Sequence, residues 1–578
     1  MALSQRMPPP RFDRRAPLRW LITALVVMVL VGPVALGVLG AVLPAFGYLP
    51  PLGGVEFSLQ PFVDFFNLPG ITRAIILSLV TGVVATVLSV LLALLLPGLL
   101  YGNRLFGLMR QYLAPMLSLP HVTVAVGLLF LLQPSGWLIR LISPYLTGWE
   151  RPPVFEAIGG GIVQDPYGLG LVVGLIAKEV PFLVLLVLSA LSQINTRPLL
   201  ILGRSLGYGP MTSWIYLIVP ALWIRLRLPI VIVLVFSLSV VDMALVLTPS
   251  TASPLAVRLL WLYQDADLAM RFVASAAAVV QIALVIVAFL WGWVLVKGLS
   301  HGGRALAFTG YRFRRSPLVF LKPLLVVMAL LPTAMAALGL VAAGLWSVSG
   351  RWRFPSAWPD VFTLRHWKAV FSGLDDVVLT TFYLGATVSA LAVVMVMLWL
   401  SQKPNKSLSM AENSIYLPLL LPQAGFLFGV QIMLLWFGLD GTWLALIWAH
   451  LLFVLPYVWL SLAPSWRSFN PQWNMLAASL GASPLSRFLR VRLPIMTLPV
   501  LTSFAVGFSV SAALYLPTVF ASNGRITTLT VEAVTLAEGS SRSPLGVATG
   551  LQMILPLVIF ILATSLARLR YKRFSYFK

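Results

Sequence analysis

Twelve apolar runs set the limits on what this chain can become. They lie near 20–45, 73–98, 113–133, 168–191, 222–248 and 272–299, then near 321–346, 377–400, 414–437, 440–463, 495–520 and 545–567. As a helix, each is long enough to cross roughly 30 Å of hydrocarbon, and within a bilayer only a helix or a closed barrel satisfies every backbone N–H and C=O. No soluble core uses so much apolar sequence: 59% of the 578 residues are hydrophobic and 10% are charged. The first run is too long for a signal-peptide core and has no small-residue cleavage site, so it reads as a retained span. The expectation is an all-α membrane protein with twelve spans and both termini on one side.

The charge pattern orients those spans. Lys and Arg number 40 against 17 Asp and Glu, a net charge of +23 that could suggest nucleic acid. The basic residues fall in alternate loops, however: Arg6 to Arg19, Arg104 and Arg110, Arg197 to Arg227, Lys297 to Lys322, Lys403 and Lys406, Arg467 to Arg492, and Arg568 to Lys578. Asp13 and Glu412 are the acids on that side, whereas Glu150, Asp165, Asp265, Asp360, Asp376 and Glu538 fall opposite. This is the positive-inside pattern, with contact to membrane lipid and no nucleic-acid partner. With no cysteine, and histidines scattered at 121, 301, 366 and 450, there is neither a disulfide framework nor metal-ligand spacing.

Two polar, arginine-bearing segments on the basic side repeat each other. In 196–220 and 470–494, Ser205-Leu206-Gly207 aligns with Ser479-Leu480-Gly481, Pro210 with Pro484, Trp214 with Phe488 and Pro220 with Pro494, at an offset of 274 residues. Glycine permits the positive φ that ends a short helix, and the proline suits the first position of the next one. Helix, tight turn and second helix are expected outside the bilayer, the second feeding a span. The repeat extends further: Pro120 to Gly127 parallels Pro422 to Gly429 at an offset of 302, and Pro181 parallels Pro456 at 275. The difference places an insertion in the external loop 134–166. Six spans per half imply two parallel repeats.

The second copy, LAASLGASPLSRFLRVRLP, resembles the "EAA" loop of binding-protein-dependent ABC importer permeases. There the loop is a coupling helix that docks on a cytoplasmic ATPase. The pattern's glutamate is absent, since Ile201 and Met475 stand in its place, and Leu202 and Gly203 replace the alanines of the first copy. From about residue 70 onward the layout is similar to fused permeases of the ferric-iron and thiamine type. The resemblance implies the transmembrane domains of a type I importer in the bacterial inner membrane. Its parts would be a basic cytoplasmic tail (1–19), a first domain (20–299), a linker (300–320), a second domain (321–567) and a second tail (568–578). It further implies two copies of a cytoplasmic ABC ATPase and a periplasmic solute-binding protein as partners. The ATPase-coupling residues would be Ser205, Leu206, Gly207, Pro210, Trp214, Ser479, Leu480, Gly481, Ala482, Pro484 and Phe488.

No G-x-x-x-x-G-K-[ST] loop occurs, so ATP and Mg belong to the partner, and no catalytic constellation marks an enzyme. Charges within spans are functional candidates. Lys178 and Glu179 flank Pro181 and are read first as structural, since adjacent residues point about 100° apart on a helix and cannot simply pair. Asp242 is the stronger pathway candidate, with its equivalent in the other half near Leu514. His450 is read first as a hydrogen-bonded interior histidine, and Trp137, Trp149, Trp358 and Trp443 as an interfacial belt. The alternative is a twelve-span secondary transporter driven by an ion gradient, which needs ionisable residues along its path. The solute is left open among ferric iron, thiamine, polyamines and oxyanions, with the acids leaning toward a cation.

Overall fold

The computed structural model describes residues 16–101, 106, 119–154, 163–309, 320, 322–371, 373, 375–401, 412, 414–539 and 541–575. Most of the expected amino-terminal tail, residues 310–319 of the expected linker and the basic residues Arg104, Arg110, Lys403 and Lys406 lie outside these. Among the described residues there is no strand, only the isolated bridges Leu49–Gly54 and Ser349–Phe362.

In the first half the principal helices are α1 (Ala16–Ala45), α2 (Ile71–Leu100), α3 (His121–Leu132), α4 (Leu169–Leu191), α5 (Thr196–Ser205), α6 (Val219–Ser239), α7 (Asp242–Leu247), α8 (Leu255–Gln264) and α9 (Met270–Phe308). The second half continues with α10 (Lys322–Ser347), α11 (Asp375–Leu400), α12 (Gln423–Trp436), α13 (Trp443–Arg467), α14 (Gln472–Ser479), α15 (Thr497–Ala513), α16 (Leu516–Ser522), α17 (Leu529–Glu538) and α18 (Arg542–Ser575). Nine helical stretches among the described residues are long and apolar enough to cross a membrane, or ten if the bent pair Pro484–Ile495 and Thr497–Ala513 is one span. The other two expected runs hold shorter apolar helices, Leu30–Ala45 and Gln423–Trp436.

Helix α2 shows how such a helix is used. Its exposed residues Ile76, Val80, Val84, Val87 and Leu91 form an apolar stripe at helical spacing, which lipid tolerates and water does not. Its buried face carries small and hydroxylated residues, among them Ala74, Ser78, Thr81, Gly82, Ala85 and Ser89. Small residues let helices approach closely where no hydrophobic effect drives them together. Ser78 also accepts the first N–H of α8 (Leu255, 2.8 Å), as Thr381 on α11 accepts that of α17 (Leu529, 2.9 Å). Each removes one orphan donor of a helix start.

The closest helix crossings exchange partners between the halves. Helix α1 packs on α12, where a Cβ on Gly40 would lie 2.8 Å from the Gly429 carbonyl oxygen, and Gly37 touches the same glycine. Reciprocally, α10 packs on α3, with Gly339 against Gly127. Both crossings are backbone on backbone, so only glycine fits.

Two expected spans are not continuous. The run 222–248 stops at Ser239, turns through an extended Val240 (ψ 131°) and restarts at Asp242. The run 495–520 breaks likewise at Leu514 (ψ 121°) before α16. It also bends by 74° between Ile495 and Thr497, whereas Pro210–Ser239 is a single unbroken stretch. The segment between α3 and α4 spans 133–168, against 437–442 between α12 and α13. Trp137, expected in an interfacial belt, is instead 8% exposed and donates to Ala357 O at 3.1 Å, while Trp358 and Trp443 are exposed at 54% and 45%.

Candidate functional site

The two glycine turns have the same geometry. Gly207 and Gly481 take φ of +84° and +78°. Behind them, Tyr208 N–H reaches Gly203 O and Ala482 N–H reaches Ala477 O, both at 3.0 Å, which is the six-to-one bond of a Schellman cap. A four-residue helix follows from Pro210 or Pro484, then a π-helical turn over Trp214–Ile218 or Phe488–Arg492. In the second copy Ser483 caps its helix by accepting from Ser486 N–H at 3.2 Å. Ser205 and Ser479 each bond back to a carbonyl of their own helix, Leu202 and Leu476, at 2.8 and 2.7 Å.

The surfaces of these turns are apolar and open. Ile201, Leu202 and Leu206 are 65%, 48% and 44% exposed, and Leu476, Leu480 and Leu485 are 55%, 80% and 68% exposed. Trp214 is not part of that surface. It is 1% exposed, donates to Leu94 O at 2.9 Å and lies against Gly98, so it anchors the loop to α2. Phe488 is half-buried beside Trp466, over which Arg492 stacks at 4.0 Å.

A second constellation gathers where helices break. Lys178 donates to the carbonyl of Leu119, just before α3 begins. Its neighbour Glu179 faces another way: Oε1 stands 3.9 Å from Nε2 of His121, the first residue of α3. Asp242, half-buried at the break before α7, bonds the N–H of Met243 at 2.9 Å and lies within electrostatic range of His121. From the other half, the Tyr457 phenol lies within range of Glu179, and the Tyr515 phenol within range of Asp242 and Glu538. The structure thus brings Lys178, Glu179 and Asp242 into one neighbourhood. His121, which the sequence offered only as a scattered histidine, joins them. No described group of three or more His, Cys, Asp or Glu has metal-site geometry.

His450 lies elsewhere and does a different job. It is 0% exposed, with Nδ1 2.9 Å from Ser511 Oγ and Nε2 3.0 Å from Thr518 Oγ1. Thr518 spends its proton on Leu514 O at 3.0 Å, so Nε2 carries a hydrogen and donates to Thr518, and Nδ1 accepts from Ser511. The carbonyl at the α15–α16 break is held through this relay. His450→Ala leaves the Ser511 hydroxyl without its acceptor, takes a donor from Thr518 and leaves a cavity, and should lower unfolding free energy by about 3 kcal/mol. A denaturation midpoint in nanodiscs equal to that of the native chain would remove this role.

Arg140 is 3% exposed and crosses between the halves. It donates to Ser135 O (3.0 Å), Arg353 O (2.9 Å) and Ser356 O (3.1 Å), with its guanidinium 4.9 Å from the Trp352 ring centroid and 5.5 Å from that of Trp346. Arg542 lies 5.0 Å from the Trp346 centroid and donates to Ser135 Oγ at 2.7 Å.

Apolar helices with lipid-facing stripes, interrupted where polar side chains meet, define a multi-pass helical membrane protein. Over 512 residues the chain is 28% identical to the inner membrane ABC transporter permease protein YnjC of Escherichia coli (strain K12), covering 88% of this chain and 91% of that protein. No family model matches the chain.

Proposed function

We propose that this chain is the permease subunit of an ATP-driven importer of the bacterial inner membrane, with both transmembrane domains fused in one polypeptide. Its twelve spans form two parallel repeats of six, with both termini in the cytoplasm. One ATPase docks on each glycine turn, and a periplasmic binding protein delivers solute to the outer loops. The observation that carries this reading is the duplicated turn: two Schellman caps, two proline-started helices and two π-helical turns at one offset, each presenting exposed leucines. The likeness to an ABC transporter permease over most of both chains supports it. Closure of the ATPase pair would draw the turns together and open the halves outward, and hydrolysis would reset them.

The test is capture of a cytoplasmic ATPase from the native membrane by the solubilised chain, set beside Leu206→Glu/Leu480→Glu. Both leucines are exposed, so the fold should be kept while two charges enter an apolar dock. Capture should fall at least about tenfold, as roughly 1.4 kcal/mol of lost contact produces. If the native chain captures no ATPase, and vesicles containing it take up solute on an ion gradient alone, the protein is a secondary transporter.

A further inference from the structure

We propose that the region between the two helix breaks is a binding station for a positively charged solute, built from carboxylates of the first half and phenols of the second. This rests on the reading of the chain as a transport pathway and adds to it the charge class of what passes.

Three independent observations converge. First, backbone is unwound at corresponding places, Val240–Val241 and Leu514–Tyr515, within stretches that otherwise read as spans. Irregular backbone at membrane depth persists where it lines a cavity or is buried in protein, and such breaks recur at transporter sites. Second, the polar residues at the breaks keep access to space inside the bundle. His121 is 27% exposed at its side chain, and Asp242, Tyr457 and Tyr515 are half-buried. Every residue of α3 after His121, Val122 through Leu132, is buried in protein.

Third, Glu179 is an acid only 5% exposed within a stretch that reads as a span. The Nε2 of His121 stands 3.9 Å from its Oε1, beyond hydrogen-bond reach. A carboxylate largely withdrawn from water is costly, and the cost falls when a cation arrives. Lys178 lies within electrostatic range of Glu179, and its ammonium also donates to the Leu119 carbonyl.

The charge is one-sided. At the offsets that relate the halves, His121 corresponds to Gln423, Glu179 to Val454 and Asp242 to Leu516. The second half instead contributes Tyr457 and Tyr515, whose ring faces favour a cation, with Glu538 beside Tyr515. Glu179 and Asp242 outnumber Lys178 on one wall, and with phenols opposite the balance favours a cation over an anion.

The chain contains no cysteine, so a single introduced thiol reports without background. In nanodiscs, Tyr515→Cys would be modified with thiosulfonates of similar size, one carrying a trimethylammonium group and one a sulfonate. Rates would be normalised to Tyr145→Cys, a position 96% exposed on the outer loop. The cationic reagent should be favoured at least about tenfold, and most of that preference should vanish in the added presence of Asp242→Asn and Glu179→Gln. Tyr457→Cys supplies a second reporter if Tyr515→Cys does not elute as a monodisperse protein. Equal rates, an anionic preference, a preference indifferent to the two carboxylates, or no reaction with either reagent would overturn the proposal. No ATPase is needed, so failed ATPase capture would leave a cation site standing in another kind of carrier. Absence of cation preference would leave the ATPase-coupled reading untouched.

Discussion

Gly339→Leu is expected to cost the protein about 3 kcal/mol or more, whereas Gly344→Leu, five residues along the same helix, should change stability by less than about 0.5 kcal/mol. A Cβ on Gly339 would meet the Gly127 backbone, with the Cα of Gly127 at 3.0 Å. A Cβ on Gly344 would meet nothing within 4 Å. Overpacking is usually relieved by rotating a neighbouring side chain, but backbone has no rotamer to change. The whole of α10 would have to lift away from α3, losing contacts along both. The loss is a large share of the 5–15 kcal/mol that holds a typical fold. Steric-trap unfolding in bicelles would compare the two variants, and similar values for both would refute the crossing as described.

Arg140→Ala should have the next largest effect, about 3 kcal/mol, concentrated where the two halves meet around it. The substitution removes the donor to three carbonyls and empties the space beside Trp346 and Trp352. Two of those carbonyls, Arg353 and Ser356, belong to the segment between α10 and α11, so residues 351–360 should exchange amide hydrogens faster while the helices keep their protection. Arg140→Lys should not rescue, because an ammonium is a point charge and cannot meet three acceptors as a planar fork does. Unchanged exchange in 351–360 would show that the arginine contributes nothing across the halves.

The glycine turns were legible because their chemistry is local: a positive φ needs glycine, and a helix start tolerates proline. The register of Gly127 with Gly429 was legible too, but not their partners. Gly37 and Gly339 stand in runs that are apolar on every face, and such a run carries no sign of which side meets a neighbour. The break before Asp242 left no mark either. Val240 and Val241 are ordinary residues of a span, and the extended backbone at Val240 is imposed by packing, without a proline or glycine to announce it. Trp137 was misplaced because a tryptophan near a span end can face lipid or fold back onto its own protein, and Trp214, named with the coupling residues, is buried behind its turn. Lys178 and Glu179 were expected to serve different neighbours, and they do, but only the folded chain shows that His121 waits for one of them.

The exchanged crossings impose an order on synthesis. Gly37 lies 392 residues (429 − 37) ahead of the glycine it packs against. At roughly 5–20 residues per second, α1 emerges about 20–80 s before α12 exists. During that interval its glycine face can meet only lipid or other passing helices. The first half cannot reach its final packing as it leaves the ribosome, and the second half, once made, still has to surrender α10 to its predecessor. Carrying both halves in one polypeptide guarantees that the awaited partner arrives once, nearby, and in equal number.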